Sequence, residues 1–254
     1  MRFIAAMAIA AGLTVPTITG AGTADAAEIK LLASNALKST LEQLTPQFEQ
    51  ASGNKLSTTF GAAAELKAAI EKGTPIDVAL LTTAATDDLV KSGKLLAAGR
   101  ANIARSAAGV AARKGAPKPD ISTTEAFKRA LLAAKSIAYV GVGASGPPIR
   151  SVFDRLGIAD QVKSKVIQLP ATDPAANAVA NGEAELGITQ ISEILPYAGA
   201  ELVGPLPPDL EFYTDYPAAV AAGAKEPEAA KALIAFLRTP AVAAVLKAKG
   251  LTPG

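Results

Sequence analysis

Short β-rich runs alternate with apolar positions at helical spacing along almost the whole chain, the pattern of an α/β protein. Residues 29–33 predict a first strand, and Asn35 is placed to cap a helix whose buried stripe is Leu37, Leu41, Leu44 and Phe48. Pro46 falls inside that stripe. Proline lacks the N–H that a helix interior needs, so a kink or a restart with Thr45 as cap is expected. Residues 55–60 predict a second strand, and residues 77–81 a third. Between them Leu66, Ile70 and the closing Gly73 outline a helix of about two turns. Thr86 then reads as the cap of a short helix ending at Gly93, and residues 103–112 as a longer β-like run broken by Gly109.

A loop at residues 114–119 leads into a second block with the same rhythm. Ser122-Thr123-Thr124-Glu125 has the spacing of a capping box. Residues 137–140 predict a strand, and Ile149, Val152, Phe153 and Leu156 a helix that stops at Gly157. A strand at 165–169, a helix starting at Pro174 and a strand at 185–190 come next. The chain then crosses a proline-rich stretch (Pro196, Pro205, Pro207, Pro208) to a strand-like run at 216–220. It closes with two helices beginning near Pro227 and Pro240.

The first residues have another character. Arg2 is a minimal positive n-region, residues 3–13 form an apolar h-region, and Ala24-Asp25-Ala26 is a small-x-small cleavage site. The apolar run falls short of the ~20 residues that span a bilayer, and Pro16 and Gly20 keep it from extending further. Residues 1–26 are therefore expected to be a signal peptide cleaved near Ala26, leaving a periplasmic protein. Aromatic residues supply only 4% of a chain that is 50% hydrophobic, so alanine-rich helices over Leu/Ile/Val strands must build the core. The net charge of +2, evenly spread, is too weak to imply nucleic acid or an anionic membrane surface. There is no cysteine and no histidine. Disulfides, the usual catalytic triads and thiolate or imidazole metal sites are excluded, and neither a metal nor a cofactor is expected. Ser52-Gly53-Asn54-Lys55 matches Ser-x-x-Lys but lies between a helix and a strand, where it reads as a turn.

Two loops carry chemistry. Phe60-Gly61-Ala62-Ala63-Ala64-Glu65-Leu66 places tiny side chains between a strand and a helix. Unshielded N–H groups at a helix start favour negative charge, so a small anion is expected there. Gly141-Val142-Gly143-Ala144-Ser145-Gly146 is a formal Gly-x-Gly-x-x-Gly. A dinucleotide site also needs an acid at the end of the next strand, ~20 residues on. Asp160 has about that spacing but precedes the strand, whose end, Gln168-Leu169-Pro170, offers no acid. With Pro147 and Pro148 crowding the helix start, the loop reads as a glycine turn exposing amides to the anionic end of a ligand.

Taken in order, several segments resemble the periplasmic molybdate-binding proteins of ABC importers. They are the strand at 29–34, the loop Phe60-Gly61-Ala62-Ala63-Ala64, the turn at 70–77, the strand at 182–188 and Tyr216-Pro217-Ala218-Ala219-Val220. The similarity spans nearly all of the chain after the leader. It implies a type II periplasmic binding protein fold, with two α/β lobes joined by two crossing strands around a cleft. The crossings would lie near residues 104–112 and 203–220. One lobe would comprise 27–108 with 203–254, the other 109–202. The resemblance also places oxyanion-contacting positions at Ala36, Ala63, Ser145, Thr172 and Gln190, with Ser34, Asn35, Gly61, Ala62, Gly146 and Thr189 as further ligand-binding candidates beside them.

The family carries serine at the first two of those contact positions and tyrosine at the last, so hydroxyls are missing here. Each lost charge-assisted hydrogen bond costs ~1.5–3 kcal/mol. Thr82 and Thr83 lie close enough in sequence to the third strand to substitute. The amide of Gln190 both donates and accepts, which favours a ligand of mixed donors and acceptors over a bare tetrahedral oxyanion. The resemblance thus implies a monomeric, non-enzymatic receptor. It would close on a small anion, either an oxyanion or an organic carboxylate, and present it to an ABC permease in the inner membrane. Two other readings stay open: an exported enzyme using the loop at 141–146 on a phosphate-bearing substrate, and a ligand sensor without a transport role.

Overall fold

In the computed structural model, which describes residues 26–142, 145–170 and 173–254, the alternation of strands and helices builds one long mixed sheet flanked by helices. The first part of the chain forms β1 (Glu28–Ser34), α1 (Lys38–Ser52), β2 (Lys55–Gly61), α2 (Ala63–Glu71), β3 (Val78–Leu80), α3 (Thr83–Lys91) and β4 (Ala101–Arg113). The middle forms α4 (Thr124–Ala133), β5 (Ile137–Val140), α5 (Gly146–Arg155), α6 (Ala159–Val162), β6 (Val166–Leu169), α7 (Ala175–Asn181), β7 (Leu186–Gln190) and α8 (Ile191–Ile194). The last part adds β8 (Ala200–Pro205), β9 (Tyr213–Val220), α9 (Pro227–Leu237), α10 (Pro240–Ala248) and β10 (Leu251–Pro253).

Strand order is β2-β1-β3-β9-β4-β7-β5-β6, with β8 and β10 both paired onto β4. On one side, β1 runs parallel to β2 and β3, with Ser34 opposite Gly61 and Ala33 opposite Leu80. On the other, β5 runs parallel to β6 and β7. β4 joins the two halves. Its N-terminal stretch pairs with β9 and β10, and its C-terminal stretch with β7 and β8. A strand buried on both faces, with helices and other strands closing over it, has room for little more than alanine. That accounts for Ala104, Ala108, Ala111 and Ala112 at 3% exposure or less.

Two main cores result from this division. The first packs Ile29, Leu31, Leu44 and Phe48 against Leu233, Leu237 and Leu246 of the two last helices. The second packs Val110, Phe127, Leu131, Tyr139, Phe153 and Leu186 together with Leu206 and Leu210. A buried carboxylate ties the first half together. Asp77, only 3% exposed, accepts the N–H of Lys30 at 2.9 Å, and those of Lys225 and Glu226 at 2.7 and 3.1 Å just before α9.

Several local expectations change. Asn35 does not cap; it opens a short 3₁₀ turn at Asn35–Leu37 that precedes α1, and Ser34 stands at the cap position. Pro46 does not stop α1, and Thr45 donates its hydroxyl to the Leu41 carbonyl at 2.8 Å instead of restarting the helix. The Leu41–Leu44–Phe48 stripe carries the helix through the proline because its burial outweighs one lost backbone hydrogen bond. Thr82, not Thr86, caps α3 by accepting the N–H of Ala85 at 3.4 Å, and Thr86 is buried inside the helix. Thr123 rather than Ser122 caps α4, accepting from Ala126 at 3.1 Å, because the Ser122 hydroxyl is turned to Asp120 at 2.7 Å.

Gly109 does not break β4. A side-chain Cβ there would lie 2.8 Å from Ile191 and 3.0 Å from Leu202, so glycine lets α8 and β8 close onto the strand beside a shift in the β4–β8 register. β8 and β10 are strands that the residue pattern does not announce, since neither alternates cleanly. Residues 203–210, assigned to the first lobe by the sequence reading, contribute Val203, Leu206 and Leu210 to the second core.

Candidate functional site

A cavity of about 380 Å³ lies where the carboxyl ends of β1, β2, β5 and β7 converge. In open α/β sheets this is the edge at which ligands sit, because helix starts and short loops meet there. One wall is made of Ser34, Asn35 and Ala36 after β1, Gly61, Ala62 and Ala63 at the start of α2, and Thr82 at the start of α3. The other wall is made of Val140, Val142 and Ser145 before α5, Pro174 before α7, and the segment from Gln190 through Ser192 and Glu193 to Tyr197. Tyr216 of β9 enters from the strand between β3 and the N-terminal stretch of β4.

The first wall offers donors. Ala62 stands at the N-cap of α2 with a side chain that cannot accept, so the first N–H groups of that helix have no side-chain partner. Ser34 is 4% exposed, and its hydroxyl finds no hydrogen-bond partner among the described residues. The second wall offers acceptors. Gln190 is 1% exposed; its Nε2 donates to Thr214 Oγ1 at 3.0 Å, and its Oε1 is buried without a partner among the described residues. Glu193 also faces the cavity, and its carboxylate accepts the Thr189 hydroxyl at 2.5 Å. Of the bases, Lys38 lines the rim of the first wall, 4.0 Å from Glu42 and well exposed.

Residues 29–252 match the family model described as bacterial extracellular solute-binding protein. The chain belongs to that family. It is 33% identical over 230 residues to an aconitate isomerase of a Pseudomonas species, covering 89% of this chain and 87% of that protein. It is 28% identical over 235 residues to the molybdate-binding protein ModA of Azotobacter vinelandii, covering 89% and 90%. Among solved structures, the periplasmic molybdate-binding protein of Azotobacter vinelandii superposes with a TM-score of 0.76 at 21% identity, covering 89% of this chain and 99% of that one. The likeness to molybdate-binding proteins read from the sequence motifs therefore holds along the chain, and so does the periplasmic binding protein fold.

Within this solute-binding protein, the structure brings most of the sequence-derived candidates to one place. Ser34, Asn35, Ala36, Gly61, Ala62, Ala63, Ser145 and Gln190 all line the cavity. Gly146 is not part of the lining. A Cβ on it would fall 2.5 Å from the Gly141 carbonyl oxygen, so the start of α5 is packed down onto the end of β5. Thr189 is also behind the wall and reaches the cavity only through Glu193. Thr172, with Gly143 and Ala144, lies outside the described residues. Of the donor and the acceptor that the Gln190 amide was expected to bring to the cleft, the nitrogen is engaged by Thr214 and the oxygen is what remains.

Glu193, Tyr197 and Tyr216 line the cavity without having been singled out as candidates. Burial pushes the Glu193 carboxyl above the ordinary glutamate range, while the Thr189 hydroxyl and the Gln190 backbone N–H pull it down. Burial also raises the phenols of Tyr197 and Tyr216, each further raised by the nearby Glu193 charge. One local signal was present in the sequence. Gln190-Ile191-Ser192-Glu193 has the N-cap-to-N3 spacing that turns a glutamate back toward the end of the preceding strand.

Proposed function

We propose that the protein is the extracytoplasmic receptor of an ABC importer and that its cargo is a small organic carboxylate rather than a bare oxyanion. The observation that carries the reading is the pairing of a donor wall, at Ser34 and the start of α2, with an acceptor wall at Gln190 Oε1 and Glu193. A tetrahedral oxyanion has only acceptors to offer, so it would satisfy the first wall and leave a buried amide oxygen facing negative charge on the second. A carboxylate that also carries a hydroxyl suits both, since the hydroxyl can donate to Gln190 Oε1. The cavity volume of about 380 Å³ falls in the range of organic ligand sites. The similarity to an aconitate isomerase supports a carboxylate over molybdate.

In this reading the apolar leader at residues 3–13 directs export, and the mature monomer works in the periplasm. Closure of the two halves about β4 and the segment joining β8 to β9 brings the walls together on the ligand, and the closed form is what the inner-membrane permease receives. The packed start of α5, where Pro147 and Pro148 also lack N–H groups, weighs against a phosphate-gripping loop at 141–146.

The experiment is a thermal-shift screen over molybdate, sulfate, citrate, malate and the two aconitates, followed by calorimetry. A ligand at 100 times its dissociation constant stabilises by ~2.7 kcal/mol. A shift with carboxylates and none with molybdate is the expected result; sub-micromolar molybdate binding overturns the ligand class. A second reading, that the bound carboxylate is isomerised as well as captured, is favoured by the 33% identity to an aconitate isomerase.

A further inference from the structure

Glu193 is more than a helix cap. Its carboxylate is held by the Thr189 hydroxyl at 2.5 Å and turned toward the Gln190 backbone N–H, yet it forms part of the cavity wall beside Tyr197 and Tyr216. A cap needs only a surface position; this one stands in a partly closed cleft, opposite the start of α2 and the Ser34 hydroxyl, which has no partner among the described residues. Among the described residues of the second wall Glu193 is the acid that lines the cavity, so a carboxylate ligand gripped on the donor wall would turn its carbon frame toward it.

We propose that Glu193 is a general base that moves a proton between the two ends of an allylic carboxylate bound in this cleft, a step that rests on the carboxylate reading above. Glu193 takes the proton from the carbon that is both allylic and next to a carboxylate. The electron pair of that C–H bond becomes a new carbon–carbon double bond, and the old double bond shifts its electrons to the third carbon. Glu193 returns the proton there, so no oxidant, water or other co-reactant is consumed. Between the two transfers, negative charge spreads onto the ligand's carboxylate, where the N–H groups at the start of α2 face it. Burial of the Glu193 carboxyl strengthens it as a base relative to an exposed glutamate.

The test uses trans-aconitate in D₂O, followed by proton NMR, with the purified protein and with Glu193→Gln. The glutamine keeps an acceptor for Thr189 and for the α8 cap, and melting curves establish that it folds. Expected are interconversion with cis-aconitate, deuterium uptake at the exchanging carbons, and a rate at least 100-fold lower in Glu193→Gln while calorimetric affinity changes less than about threefold. The wild-type rate should rise with pH through an apparent pKa above that of a free glutamate. The titratable groups near Glu193 are Tyr216 of β9 and Tyr197 after α8, with Lys38 and Glu42 of α1 lining the same cavity and Asp173 before α7 acting on Tyr197. Binding without turnover by the wild type overturns the proton transfer and leaves the receptor reading standing. Undiminished turnover in Glu193→Gln overturns the assignment of the base. No binding of either aconitate at millimolar concentration removes the carboxylate reading and this inference with it.

Discussion

The two walls of the cleft are built by opposite means. The first, from Ser34 to Ala36 and from Gly61 to Ala63, is built mainly of small residues and presents backbone N–H groups with the side chains of Ser34 and Asn35. The second, from Gln190 to Tyr197, presents an amide oxygen, a carboxylate and a phenol. Backbone donors at a helix start are fixed by the fold, so on the proposed reading that wall answers to charge and changes little with substitution. Side-chain acceptors can be replaced one at a time, so on the proposed reading the second wall is where selectivity resides. On the carboxylate reading, Ala36, Ala63 and Gln190 in place of hydroxyl-bearing residues alter what the cleft discriminates without removing its attraction for anions.

The most severe way to break the first wall is to occupy it. Ala62→Leu puts a branched side chain into the cavity at a position that is only half-buried, and should weaken carboxylate binding about 100-fold, ~2.8 kcal/mol, by calorimetry. The ligand-free melting temperature should move by no more than ~2 °C. Ala63 is the poorer choice, because at 8% exposure it belongs to the core beneath α2 and a leucine there would strain the fold. Unchanged affinity in Ala62→Leu would mean that the anion does not sit at this helix end.

A smaller break is Ser34→Ala, which should cost about tenfold in affinity if the hydroxyl bonds the ligand in a desolvated cleft. Because that hydroxyl has no partner among the described residues, the ligand-free protein should be no less stable, and slightly more stable if anything changes. A lower melting temperature with intact binding would assign Ser34 a structural role instead.

The second wall is sharpened by Gln190→Met, which keeps length and removes the Oε1 acceptor. Hydroxylated carboxylates should lose ~1 kcal/mol more than analogues without the hydroxyl, measured as paired titrations. Equal losses for both would show that Gln190 does not read the hydroxyl.

The smallest expected effect concerns pH. Glu193 has a folded-state pKa above its unfolded value, so its contribution to stability is fully present below about 4.5 and is lost as pH rises through the raised folded value. The melting temperature of Glu193→Gln relative to wild type should therefore climb as pH increases from 4.5 upward and then level off. A difference independent of pH would mean that the carboxylate is as well solvated as in the unfolded chain.

Much of this molecule is determined by local sequence. The parallel strands β1 and β2, the helices after them and the closing pair at Pro227 and Pro240 arise from hydrophobic period, glycine stops and proline starts, which act within a few residues. The tiny-residue segment at Gly61, Ala62 and Ala63 is legible for the same reason: a strand, a space and a helix start are adjacent in the chain. Tertiary structure decided the rest. Whether Ser34 caps a helix or turns its hydroxyl to the cleft depends on the 3₁₀ turn directly after it. Gln190 faces the cleft with its oxygen only because Thr214, 24 residues away on β9, engages its nitrogen. Glu193 is an ordinary helix-start acid until β4, β8 and Tyr216 close around it, and only then does burial change its basicity. Period and capping are short-range and visible one segment at a time. The partner of an amide and the dryness of a carboxylate are properties of distant segments brought together.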